Sequence, residues 1–193
     1  QVAASHDARG HGVLVVLNDE IHAARFVGKR HSTLPSAFGS SVGPIGWVTE
    51  GRPRIPVSLP PSITPARAAT SSVRVGLVTV VIDDDAATLT AAAGAGLDGL
   101  VVEALGGGHV PATLVEPLAA AAERMPVILT SRTGRGETLR ETYGFPGSET
   151  DLIDRGLIPG GALDGPKARV LLTALLRGGA GAGDIRDAFA SAP

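Results

Sequence analysis

The sequence predicts an α/β fold: the end of a larger α/β domain, followed by a small C-terminal domain with a four-stranded parallel sheet flanked by helices. Three observations carry this expectation. From residue 73 onward, apolar runs rich in Val, Leu and Ile alternate four times with alanine-rich or capped helical stretches, and parallel strands need such crossover connections. Aromatic residues make up only 3% of a chain that is 44% hydrophobic, with 26 Gly and 14 Pro. The core must therefore be aliphatic and the turns tight, as in buried parallel strands followed by helices. Finally, residues 1–52 hold one apolar run and one hairpin signal, too little to close a core alone.

Taken in order, residues 13–17 form an unbroken apolar run ending at Asn18-Asp19, which reads as a buried strand. Residues 21–27 are ambiguous between strand and helix, and 44–55 alternate weakly around a hairpin turn at Glu50-Gly51. Residues 53–72 carry Pro53, Pro56, Pro60, Pro61 and Pro65 and read as a semi-rigid linker, giving units 1–52 and 73–193 on either side. The second unit reads as strand 73–82, helix 86–95, strand 99–105, helix 111–124, strand 127–130, a polar loop to 148 and a short strand 157–163. Asp164 caps a helix with Pro166 in its first turn, stopped by Gly178-Gly179, and residues 184–190 add a last helical turn or two. Ligands of such sheets gather beyond the carboxyl ends of the strands. Here those ends are Asp83-Asp84-Asp85, Gly106-Gly107-Gly108-His109 and Ser131-Arg132-Thr133.

Composition narrows the chemistry. A net charge of −2 gives no electrostatic footprint for nucleic acid or an anionic membrane. The apolar runs are too short to cross a bilayer. Zero cysteines exclude disulfides, thiolate zinc sites and cysteine nucleophiles. Residues 1–10 are polar, without the apolar stretch of a leader, so the cytoplasm is the expected compartment. His6, His11, His22, His31 and His109 lack zinc-hydrolase spacing and read mostly as surface residues. The Asp83-Asp84-Asp85 run reads as a helix N-terminus rather than a metal site, because no further oxygen ligands converge on it in the sequence.

Three residues keep a chemical reading beside a plainer one. The glycine turn ahead of His109 is either an anion-binding βα turn or simply a tight one. Lys29, among Ser32, Thr33 and His31, is either a solvated lysine or a base that helps a hydroxyl lose its proton. Glu149 is either a helix N-terminal carboxylate or a ligand for a cationic group.

Together the segments resemble one family. Val13-Leu-Val-Val-Leu-Asn-Asp-Glu-Ile-His-Ala-Ala-Arg25 with Lys29 is similar to a strand and basic segment of bacterial-type L-asparaginases. So are Gly43-Pro-Ile-Gly-Trp47, Gly99-Leu-Val-Val-Glu-Ala-Leu-Gly-Gly-Gly-His-Val-Pro111 and Val127-Ile-Leu-Thr-Ser-Arg132. Gly160-Gly-Ala-Leu-Asp-Gly-Pro-Lys-Ala-Arg-Val-Leu-Leu172 resembles the family's late helix motif. The resemblance implies a homo-oligomeric amidohydrolase that cleaves L-asparagine, and more slowly L-glutamine, to the acid and ammonia without a metal or organic cofactor. A threonine acts as nucleophile, supported by a second threonine, an aspartate and a lysine, and this lysine matches Lys29. Glu149 matches the carboxylate that binds the substrate's α-amino group from the neighbouring subunit, and His109 stands where the family has an asparagine given across the same interface.

His109 is one departure from the family pattern, and Gly165-Pro166 in place of a Pro-Gln pair is a second. The third concerns activity: these 193 residues contain neither the Gly-Gly-Thr nor the Thr-Gly-Thr-Asp segment that carries the family's nucleophile and its support. The chain alone is therefore expected to be inactive, a truncated part of an asparaginase. The alternatives are a non-catalytic amino-acid-binding or dimerisation module and a nucleotide-binding domain resting on the glycine turn.

Overall fold

The computed structural model describes residues 1–60, 63–69 and 72–192; Pro61 and positions 70–71 of the expected linker lie outside the described residues. The chain divides into two compact units, Gln1–Ser62 and Ile63–Pro193, at a point inside that proline-rich stretch.

The first unit opens with single 3-10 turns at Val2–Ala4 and His6–Ala8. Strands β1 (Leu14–Leu17), β2 (Glu20–Ala23), β5 (Gly46–Thr49) and β6 (Arg52–Arg54) form an antiparallel sheet in the order β1-β2-β5-β6, while β3 (Val27–Lys29) and β4 (Phe38–Ser40) form a separate ribbon. The hairpin expected at Glu50-Gly51 forms, with φ of 49° and 74° at its two central residues. Paired positive φ values give the turn whose twist matches the flanking strands.

The run at 13–17 departs from expectation. Its sequence reads as a buried strand. Asn18 and Asp19, at φ 51° and 61°, instead fold β1 straight back onto β2, and β1 becomes the edge of the sheet. Val13 is 75% exposed, and Val16 and Leu17 are more than a third exposed. An apolar run records what its residues prefer, not how many neighbours the strand has. Ile21, Ala23, Ile45 and Val2 make the small core, against which Leu14, Phe26, Val48, Ile55 and Leu59 pack.

The second unit follows the expected plan. Strands β7 (Val75–Thr79), β8 (Gly99–Ala104), β9 (Val127–Ser131) and β10 (Ile158–Pro159) form one parallel sheet in sequential order. The central β8 and β9 are almost wholly buried, which explains the apolar runs at 100–102 and 127–129. Alternate residues sort to opposite faces. Leu100, Val102, Val127 and Leu129 meet α1 (Ala87–Gly94), α2 (Val115–Ala122) and α3 (Glu149–Asp154). Val101, Ile128 and Ile158 meet α4 (Gly165–Arg177) and α5 (Ala182–Ala190) through Leu172, Leu175, Ile185 and Phe189. Asp164 caps α4 by accepting a hydrogen bond from the Lys167 amide at 2.9 Å, a contact worth about 1 kcal/mol. The strand expected over 157–163 is reduced to the two residues of β10, and Glu149, read as either a helix N-terminal carboxylate or a ligand for a cationic group, opens the single turn and a half of α3.

Candidate active-site wall

The site grows from the carboxyl ends of β8 and β9. After β8, the amides of Gly108 and His109 both donate to the carbonyl of Leu105, at 3.0 and 2.9 Å. Those two donors are therefore engaged within the turn, which supports the tight-turn reading over anion capture. Gly107 accepts the Leu139 amide at 2.8 Å, and the Leu139 side chain sits where a Cβ on Gly107 would stand. Across from it, Gly147 adopts φ 87° with its carbonyl accepting from the Val110 amide at 2.8 Å. An added Cβ at Gly147 would fall closer than 3.0 Å to the Val110 carbonyl oxygen, so only glycine lets α3 begin this close to the exit of the turn.

Ser148 then caps α3, accepting from the Asp151 amide and donating to the Tyr143 carbonyl at 2.9 Å. Asp151 accepts from the Gly147 amide at 2.8 Å and from Arg155 at 2.8 Å. The Arg155 guanidinium and the Gly147 amide together hold the Asp151 carboxyl below the usual carboxylate range, against the effect of burial.

This scaffold sets Glu149 fully out of solvent, with a side chain 0% exposed. Its Oε1 accepts from the backbone amides of Thr142 (2.9 Å) and Tyr143 (2.8 Å), and its Oε2 meets Nε2 of His109 at 3.1 Å. Burial pushes the carboxyl up, but the amides of Tyr143 and Thr142, its own backbone amide and the His109 ring outweigh it. The net result is a carboxyl held below the usual range and hence ionised at neutral pH. The His109 ring is gripped edgewise by Tyr143 and Phe145, with centroids 4.9 and 5.2 Å away. Tyr143 and Phe145 are themselves half-exposed.

The structure thus brings together two of the three residues singled out from the sequence, His109 and Glu149, which are 40 positions apart. Lys29 belongs to the first unit, at the exposed end of β3 opposite Phe38. The ribbon that bears it is anchored by a residue the sequence reading placed on the surface. His22 is 1% exposed, with Nδ1 2.9 Å from Ser40 Oγ on β4 and Nε2 3.1 Å from Glu20. A lone histidine in an alternating strand does not announce which face it occupies, and its partner lies 18 residues away. The acidic triplet starts α1: Asp84 and Asp85 accept from the amides of Ala86 and Ala87 at 2.9 and 3.0 Å. Among the described residues no three His, Asp or Glu side chains converge as a metal site would require, and no helix is long and apolar enough to cross a membrane.

Comparison with known proteins shows the family. Residues 1–59 match the family described as asparaginase, N-terminal, and residues 74–189 the glutaminase/asparaginase C-terminal domain. A probable L-asparaginase of Deinococcus radiodurans is 38% identical over 98% of this chain and 58% of its own length. An L-asparaginase of Bacillus licheniformis is 30% identical over 90% of the chain and 54% of its own length. A probable periplasmic L-asparaginase of Haemophilus influenzae is 32% identical over 89% and 49%. The chain spans about half the length of the curated relatives it matches. Two family domains matched in order, together with relatives aligned along nearly all of its residues, establish that the chain belongs to the asparaginase/glutaminase family.

Proposed function

We propose that the chain is part of an amidohydrolase that converts L-asparagine to L-aspartate and ammonia, with L-glutamine as a slower substrate and no metal or organic cofactor. The observation that carries this reading is the ionised carboxylate of Glu149, buried and bonded to His109 beside the turn after β8. A negative charge fixed behind a polar, partly exposed ring is suited to the α-ammonium group of an amino acid. On this reading, His109 and Glu149 supply the amine-binding wall of a site completed by a second copy. Lys29 belongs to the group that takes a proton from the attacking hydroxyl. Removing a nucleophile lowers the rate by on the order of 10⁶ in a well-studied hydrolase, and these 193 residues hold no Gly-Gly-Thr segment, so the isolated chain is inactive. The proposed compartment is the cytoplasm, although one relative carries a periplasmic description.

The oligomeric part of the reading draws support from β1, whose free edge and exposed Val13, Val16 and Leu17 favour association. The test is an ammonia-release assay paired with sedimentation. The chain alone should release no ammonia from L-asparagine and should self-associate, and activity should appear only when the threonine-bearing segments are added in cis. A monodisperse monomer, or steady turnover by the purified chain free of host asparaginase, would overturn it.

A further inference from the structure

Glu149 is shut in. Its side chain is wholly buried, and donors on both oxygens already face it: two backbone amides and one imidazole N–H. What reaches the surface at this point is the His109 ring, with a side chain 25% exposed. Resting on the reading above, we propose that the atom that meets the ligand's ammonium group in this protein is Nδ1 of His109 rather than a Glu149 oxygen, and that it does so only while the imidazole is neutral.

The tautomer follows from the partners. An ionised carboxylate can only accept, so the hydrogen in the 3.1 Å contact sits on Nε2 of His109. A neutral imidazole has one N–H, and Nδ1 is therefore left as a lone-pair acceptor. The edges of Tyr143 and Phe145 hold the ring at 4.9 and 5.2 Å, which fixes the direction of the lone pair. Their half-exposed rings also add an aromatic surface favourable to a cation. The buried charge thus acts at the surface through the ring.

Protonation reverses this. With both nitrogens protonated, Nδ1 becomes a donor on a cation and repels an ammonium group. The titratable groups in contact with the ring are Glu149 on α3 and the Tyr143 phenol on the preceding loop, and neither brings positive charge.

The test uses the 193-residue chain labelled with ¹⁵N, with L-aspartate as the probe and succinate, which has the same two carboxylates and no amine, as the control. The His109 ring should be the Nε2–H tautomer at about pH 8. L-Aspartate should move its Nδ1 resonance and succinate should leave it in place. Below the pH at which the ring takes up its proton, Kd for L-aspartate should rise about tenfold per pH unit. In His109→Asn and His109→Gln an amide oxygen accepts without titrating, so Kd should stay flat over the same range, with the dispersion of the spectrum reporting that the variants are folded. An Nδ1–H tautomer, an equal response to succinate, or a wild-type Kd that stays flat while His109 titrates would overturn the inference. If the amide variants bind L-aspartate and the wild type does not at any pH, the inference falls while the amidohydrolase reading stands. If no form binds, the inference falls, while the amidohydrolase reading, whose site a second copy and the threonine-bearing segments complete, stands.

Discussion

Replacing Gly147 with alanine tests how the site is built. Gly147 sits at φ 87°, where a side chain costs about 1–2 kcal/mol. The added Cβ would also press on the Val110 carbonyl oxygen, a backbone atom that cannot swing aside as a side chain can. Relief requires the two strands of chain to separate, which breaks the 2.8 Å bond from the Val110 amide to the Gly147 carbonyl and costs roughly another 1 kcal/mol. The sum, about 2–3 kcal/mol, is a large part of a domain stability of about 5–15 kcal/mol. At about 2–4 °C per kcal/mol it lowers Tm by roughly 5–10 °C. Gly136→Ala is the matched control: its φ is 80°, but nothing lies within 4 Å of the new methyl. It should lose only the conformational part, about 1–2 kcal/mol. Calorimetry of both variants reads the difference. Hydrogen exchange locates it, because the Thr142 and Tyr143 amides that bond Glu149 should lose protection in Gly147→Ala alone. Equal losses in the two variants, with those amides still protected, would refute the claim that close approach to Val110 holds α3 and Glu149 in place.

Two further outcomes follow from the polar contacts. Because the folded-state pKa of Glu149 is lowered, its contribution to stability is complete above the unfolded value of about 4.3 and is lost as pH falls through the folded value. Glu149→Gln exchanges charge-assisted bonds for neutral ones and should be about 2 kcal/mol less stable at neutral pH. Urea titrations should show that gap narrowing below about pH 4; a gap of constant size would refute the assignment, while Asp151 keeps part of the acid slope in both proteins. His22→Ala removes a buried ring and leaves Ser40 without its 2.9 Å partner, at a cost of about 2–4 kcal/mol. Faster exchange of the β3–β4 amides than of the β8–β9 amides is the expected signature, and unchanged exchange in the ribbon would sink the anchoring role of His22.

The parallel sheet was legible because its signal is local and repeated. Continuous aliphatic runs at 100–102 and 127–129 are best satisfied by burial on both faces, and the helices between them leave one way to arrange the strands. The same rule misled at 13–17, where the deciding feature was the two-residue turn at Asn18-Asp19 rather than the apolar content that precedes it. A short connection between apolar runs signals an antiparallel pair whatever their hydrophobicity, and weighting that turn more heavily would have placed β1 at an edge. The α3 helix was legible only at its first residue, where Glu149 reads as a helix N-terminal carboxylate: six residues give no periodicity, and the start is specified by Gly147 and Ser148, whose partners lie at Val110 and Tyr143.

Composition and spacing left Glu149 and His109 as separate, ordinary residues, and only the family resemblance joined them. The structure supplies the physical reason for the joining. A carboxylate can be buried here because backbone amides of Thr142 and Tyr143, which no side-chain pattern encodes, take one oxygen, and an imidazole takes the other. Had position 109 been aliphatic, Oε2 would lose its imidazole partner, and the buried charge would cost more to retain. The residue at 109 therefore has two duties, to satisfy the buried charge and to present a polar atom outward. An asparagine amide and a neutral histidine can both do this, but of the two only the histidine can take up a proton on its outward nitrogen. On the proposed role of His109, acid would therefore remove the outward acceptor that an amide would keep.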